Sequence, residues 1–288
     1  MMTENVKTKT TCETLGQLMQ QLISRYQDNG QLRTAETYAT AFRSFMRFAH
    51  GEDVLLDDIE PLLIRQYESW LLHTVGVTFN TSSFYMRKLR AAYNVAVERG
   101  LTEQRNPFRN VYTGKTKTAK RAVALSVIRR IRSLDFSDAP FLQLSCDLFL
   151  FSFYTRGMSF IDMAHLKKSN LQSGFLIYRR QKTGQQLSIK WEACMQELVN
   201  KYEEITGSFL LPIIMDEYDE RGQYKRMQYR VNYALKQVSK RAGITPSLTM
   251  YVARHSWASI AYSQNVPLTI ISEGMGHDSE QTTRIYLA

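Results

Sequence analysis

The sequence predicts a mainly α-helical protein with one small β-hairpin: a helical bundle followed by a larger module that carries the hairpin. Three observations lead there. Apolar residues recur at helical spacing through the first hundred positions. A basic stretch at 106–121 with Pro, Gly and several Thr breaks that periodicity. In the second half, two short β-rich runs flank Lys182-Thr183-Gly184.

Taken in order, Leu15, Leu18, Met19, Leu22, Ile23 and Tyr26 step along one helical face. A second helix over 34–49 buries Tyr38, Ala41, Phe42, Phe45, Phe48 and Ala49. A third runs over 61–72 and opens with Pro61, a good first-turn residue. A fourth covers 80–98, stops at Gly100 and presents Arg87, Lys88 and Arg90 as a basic strip. Four amphipathic helices with short connections make a bundle, which sets a first domain at 1–110. Residues 111–121 form a basic linker and 122–288 a second domain. There, residues 140–155 are hydrophobic nearly all round and read as a buried helix stopped by Gly157. Strands at 174–180 and 186–191 form a hairpin with Lys182 at its tip. Helices follow at 227–242, 249–264, 267–273 and 278–287.

The chain has 288 residues, 44% hydrophobic and 22% charged, too apolar for disorder. Residues 141–155 are the longest near-apolar run, interrupted by Ser145 and Asp147 and too short to span a membrane. The N-terminal residues show no apolar signal core. Cys12, Cys146 and Cys194 are far apart and odd in number, which excludes a disulfide framework and gives no zinc spacing. A soluble protein of the reducing cytoplasm is expected.

Charge is uneven. Residues 1–114 hold 13 Lys/Arg against 12 Asp/Glu, and residues 115–288 hold 24 against 15. Seven basic and no acidic residues lie between Lys115 and Arg132. Such a surface suits a polyanion, because neutralising phosphates releases counterions; it equally suits a solvated surface. Lys115, Lys117, Lys120 and Arg121 in the linker are candidate DNA contacts, with a solvated tether as the competing reading.

The last forty residues carry the chemistry. The helix over 249–264 sets Tyr251, Arg254, His255 and Ala258 on one face. An Arg-His pair suits a phosphate, since Arg offers a planar donor fork and His one directed donor; taken alone, the dipeptide reads more simply as a surface arginine beside a core-satisfied histidine. Gly276-His277 precedes a helix opening Asp278-Ser-Glu-Gln281, which reads as an N-cap with a capping-box partner. Tyr286 follows His277 by nine residues. Upstream, Arg156 ends the buried helix, and Ser159-Phe-Ile-Asp162 reads as a cap whose Asp162 either caps only or buttresses an arginine.

Arg156, Lys182, Arg254-His255, Gly276-His277 and Tyr286 stand in the order and approximate spacing of the tyrosine recombinases, the phage-integrase family, which the chain resembles over nearly its whole length. The segments YVARHSWASIA, GMGHDSEQTTRIYL and FYTRGMSFIDMAHL resemble especially integrases of Bacteroides-type mobile elements. The resemblance implies a SAM-like core-binding bundle and an α+β catalytic domain. It implies a site-specific recombinase that cuts and rejoins double-stranded DNA through a 3′-phosphotyrosine and a Holliday junction, as a homotetramer on paired sites. Tyr286 would be the nucleophile, Arg156 and Arg254 the phosphate clamp, His277 a further hydrogen-bond donor and Lys182 the general acid. Two departures stand out. Tyr251 occupies a position where the family usually has His, and a phenol does not titrate near neutrality. Arg156 also lies six residues before Asp162, where a shorter gap is typical. No carboxylate cluster suits Mg²⁺, so neither metal nor nucleotide cofactor is expected. A type IB topoisomerase-like strand transferase and a non-catalytic DNA-binding protein of the same fold are the alternatives.

Overall fold

The four segments read as helices in the first hundred residues are helical in the computed structural model, which describes residues 14–116 and 121–287. These two stretches belong to two compact units. In the first, α1 (Leu15–Asp28) starts with a reciprocal cap, Thr14 accepting from Gln17 N and the Gln17 side chain accepting from Thr14 N. Helices α2 (Leu32–Phe48), α3 (Pro61–Ser69) and α4 (Phe79–Glu98) complete the bundle. The third helix is not regular to residue 72: it passes at Trp70–Thr74 into a wider turn with i→i+5 hydrogen bonding. Leu18, Met19, Phe45, Tyr67, Met86 and Tyr93 fill the core.

Residues 112–116 lie along α4 and are no free tether. Asn80 holds Thr116 with two hydrogen bonds, accepting from its N and donating to its O, and Ser83 Oγ donates to Gly114 O. Cys12, Lys117 and Lys120 lie outside the described residues.

The second unit is built around α6 (Pro140–Tyr154), which carries nine buried residues, including Phe149 and Phe151. Helix α5 (Leu125–Arg132) precedes it, and α7 (Phe160–Ala164) follows. An antiparallel sheet of β1 (Leu171–Gln172), β2 (Phe175–Arg179) and β3 (Gln186–Lys190) comes next, in the order β1-β2-β3, with Arg179 opposite Gln186. Then come α8 (Ala193–Asn200), α9 (Glu220–Arg241), α10 (Met250–Ser263), α11 (Leu268–Met275) and α12 (Glu280–Arg284). α5, α8, α9 and α10 all pack on α6, which is why its sequence is apolar on every side.

Among the helices read from the sequence in this unit, α9 and α12 differ most from that reading. α9 begins at Glu220, seven residues early, because its first third shows no apolar periodicity and packs only the half-buried Tyr224 against Phe160; its buried face is Val231, Ala234, Leu235, Val238 and Ser239. α12 spans only 280–284, and its N-cap is Ser279, whose side chain accepts from Thr282 N, not Asp278. Among the described residues no helix is long and apolar enough to cross a membrane.

Candidate active site

The site starts from the turn that ends α6. Arg156 and Gly157 both adopt left-handed backbone, φ 59° and 70°. The turn is locked by Gly157 N and Met158 N donating to Ser152 O and by Ser152 Oγ donating to Met158 O. It presses Gly157 onto α10 so closely that a Cβ there would stand 2.7 Å from Arg254 Cα. Only glycine combines that conformation with that approach.

Arg254 is 5% exposed. Its Nη1 donates to Gly157 O at 2.6 Å; its Nη2 donates to Met275 O at 2.7 Å and meets His277 Nε2 at 2.8 Å. A guanidinium has no acceptor, so Nε2 must accept and carries no proton. Burial, followed by the charges of Arg254, Arg180 and Lys182, pushes the His277 pKa down to about 4. The ring is therefore neutral at pH 7, with its proton on Nδ1, which donates to Thr283 Oγ1 at 2.8 Å. His277 thus orients the arginine here; it is not the free donor expected from the sequence.

Tyr286 is half-buried and held from several sides. Its ring stacks on His277 (centroids 5.1 Å apart, 27° between planes) and lies 4.8 Å from His255. Arg254 Cζ stands 5.4 Å from the ring centre. The Tyr286 carbonyl accepts from Ser259 Oγ at 3.2 Å and lies 3.2 Å from His255 Nδ1. The hydroxyl lies 2.7 Å from Tyr251 Oη. α10 therefore fixes the backbone, ring and hydroxyl of this tyrosine.

The sequence reading missed Arg180. It is 7% exposed, its Nη1 donates to Gly276 O, and its Nε stands 3.6 Å from Asp162 Oδ2. Asp162 also accepts from Gln181 N at 2.8 Å and from Ser159 Oγ at 2.6 Å. It is both a cap partner and an arginine buttress, and it ties the hairpin to α7. Strand alternation carries the signal: Leu176 and Tyr178 point inward, and Arg180 is next on that face, one residue past β2. Arg180, Arg254 and Arg156 all bear electrostatically on the buried Tyr178 phenol, whose pKa burial pushes up. Arg156 itself is half-buried and reaches along Gly274. Lys182 is exposed in the hairpin turn, close enough to act on His277. One cluster thus holds Arg254, His277, Tyr286, Tyr251 and His255. Gly276, the C-cap of α11, links Arg180 and Asp162 to it, while Arg156 and Lys182 border it.

The basic strip on α4 is corrected. Only Arg90 is exposed, and it donates to Thr113 Oγ1. Lys88 folds over the Tyr38 ring, 4.8 Å from its centre, and Arg87 donates to Ser83 O of its own helix. Lys115 and Arg121 are exposed. A stronger basic face lies on α9, where Lys225, Arg226, Arg230, Lys236 and Lys240 surround Tyr229 and Tyr233, all exposed. Glu220 is the one acidic residue in that helix. Among the described residues no three His, Cys, Asp or Glu side chains gather as metal ligands.

A mainly helical fold with a three-stranded sheet and a buried arginine against a held tyrosine defines a class, and comparison with known proteins identifies it. Residues 14–116 match the phage integrase SAM-like domain, and residues 142–288 match the phage integrase family. The chain belongs to that family and is a tyrosine recombinase, an enzyme of site-specific DNA recombination. It is 28% identical over 257 residues to the tyrosine recombinase XerC of Rickettsia bellii, covering 85% of this chain and 81% of the relative. It is 20% identical to XerC of Leptospira interrogans, covering 92% and 85%. Its fold matches a lambda integrase dimer bound to a COC′ core site (TM-score 0.74, 17% identity, 96% of each chain). It also matches XerH bound to a palindromic difH substrate (TM-score 0.69, 16% identity, 94% and 80%).

Proposed function

We propose that Tyr286 cuts one strand of double-stranded DNA and that the cluster around it stabilises the reacting phosphate. The observation that carries this is Arg254: a buried guanidinium fixed by two carbonyls and a neutral histidine, 5.4 Å from the Tyr286 ring centre. Such a donor is oriented before the substrate arrives, the arrangement that favours a transition state over a ground state.

In the reaction the bond between Tyr286 Oη and phosphorus forms and the bond from phosphorus to O5′ breaks. A 3′-phosphotyrosine and a 5′-hydroxyl result, and the phosphodiester energy is kept for rejoining. Arg254, Arg180 and Arg156 meet the charge on the non-bridging oxygens. Lys182, on its exposed turn, protonates O5′. Asp162 positions Arg180 and, through Gln181, the turn that carries Lys182. His255 positions the Tyr286 backbone.

The first unit would serve as the core-binding domain and the second as the catalytic domain. Lys115, Arg121 and the basic face of α9 would lie along the DNA backbone, with Arg90 as the exposed cation of α4; Lys88 is folded over Tyr38, Arg87 is half-buried against its own helix, and Lys117 and Lys120 continue the basic stretch in the sequence. Strand exchange between two paired sites calls for four protomers passing through a Holliday junction. A lambda integrase tetramer bound to a Holliday junction shares the fold, with TM-score 0.70, and supports that assembly. The work would be done on nucleoid DNA in a bacterial cytoplasm.

The test is a nicked suicide substrate. The wild-type protein is expected to leave a denaturant-resistant protein–DNA adduct, and Tyr286→Phe none, with duplex affinity retained. Arg254→Ala and Arg180→Ala should each slow cleavage roughly 10²–10³-fold while binding falls little, because ground-state affinity is shared among many phosphate contacts. An adduct from Tyr286→Phe would overturn the reading.

A further inference from the structure

Tyr251 stands where a titratable imidazole is usual in the family, and its hydroxyl makes a 2.7 Å hydrogen bond to Tyr286 Oη. It sits on α10 one turn before Arg254, so the rigid helix that holds the phosphate-facing guanidinium also holds this hydroxyl. The two phenol rings are 5.6 Å apart, and His255 packs edge-on to Tyr251 at 4.8 Å. Resting on the assignment of Tyr286 as nucleophile, we propose that Tyr251 is a catalytic residue whose hydroxyl donates the hydrogen bond that stabilises negative charge on Tyr286 Oη during attack.

The direction of that bond follows from the surroundings. Arg254 Cζ stands 5.4 Å from the Tyr286 ring centre, so charge that develops on this side chain during attack faces a fixed cation. Burial, and next the bond to Tyr286, pushes the Tyr251 phenol up. Tyr251 therefore keeps its proton and donates it in a hydrogen bond to Tyr286 Oη, the direction the hydrogen bond already has. In the step itself the Tyr286 proton leaves to solvent water, the Oη–phosphorus bond forms, the bond to O5′ breaks and Lys182 protonates O5′. Tyr251 retains its own proton throughout. A neutral phenol does this without titrating near neutrality, unlike imidazole.

The experiment measures single-turnover cleavage of a suicide duplex by the full chain between pH 6 and 10, with duplex Kd measured in parallel. The other groups facing the pair are Arg254 and His255 on α10, His277, and Lys182 acting on His277; all are common to the variants, and His277 titrates below this range. Tyr251→Phe keeps the ring and is expected to cleave about tenfold to a hundredfold more slowly at neutral pH, with Kd unchanged within about twofold. The alkaline rise of its rate should move to higher pH, because the negative charge on Tyr286 Oη loses the hydrogen bond that Tyr251 donates. Tyr251→His, which restores a donor, should regain most of the rate and add an inflection near imidazole's ordinary pKa of about 6.5. An unchanged rate in Tyr251→Phe, a loss matched by weaker DNA binding, or a slower rate with an unmoved pH profile would each overturn the proposal. An adduct formed by Tyr286→Phe would remove the nucleophile assignment beneath it, a separate outcome.

Discussion

At the scale of single residues, the site is organised by what an arginine cannot do. Because Arg254 only donates, His277 Nε2 must accept, and that one fact fixes the tautomer, the neutral charge state and the Thr283 partner. A stability consequence follows. The folded His277 pKa, about 4, lies below its ordinary value of 6.5, so between these values the unfolded chain binds the extra proton. The stabilising contribution is complete above about pH 6.5 and is lost as pH falls toward 4. Thermal melts of the wild type should fall more steeply over that window than melts of His277→Gln; parallel curves would contradict the neutral assignment. Lys182 is tested by its leaving group. A 5′-bridging phosphorothiolate expels a thiolate that needs no proton, so it should restore cleavage to Lys182→Ala and much less to Arg254→Ala. Failure to rescue would make the hairpin lysine a backbone contact.

At the scale of elements, two joints set the site: the α6–α7 turn against α10, and the Gly276 cap of α11 against Arg180. Gly157→Ala brings a Cβ to 2.7 Å from Arg254 Cα at φ 70°. It should cost at least about 1–2 kcal/mol of stability and lower cleavage further than Tm alone explains. Normal cleavage by a folded Gly157→Ala would show that the turn does not position Arg254. Sequence patterns made much of this legible. Helices α1–α4 and α6 and the hairpin are readable because periodicity and turn chemistry are local signals, whereas Arg254, His277 and Tyr286 stand out only through the resemblance to the family, since an Arg-His pair or a single tyrosine carries no local signature of chemistry. Arg180 was hidden in an Arg-Arg doublet, since its burial depends on Asp162 eighteen residues upstream. The α4 strip misled for a related reason: helical spacing gives an angle, but Tyr38 on α2 decides that Lys88 folds inward. The starts of α9 and α12 were misplaced where no apolar face marks them.

At the scale of the whole molecule, the excess of basic charge after residue 114 and the exposed basic face of α9 call for an extended phosphate backbone as partner. Affinity for a duplex should fall steeply with salt, log K against log salt sloping by about −0.9 per phosphate neutralised. Removing two cations from α9, Arg230→Ala with Lys236→Ala, should flatten that slope by about 2 and leave the rate from the bound state nearly unchanged. A slope that does not change would take α9 off the DNA.

As proposed, Tyr286 becomes covalently joined to DNA. The most direct measurement traps the adduct on a suicide substrate, digests both components and maps the modified peptide by mass spectrometry. A single nucleotide-bearing residue is expected, Tyr286, attached through a 3′-phosphate. Attachment at Tyr251 or Tyr262, or a 5′-phosphate linkage, would contradict the proposal.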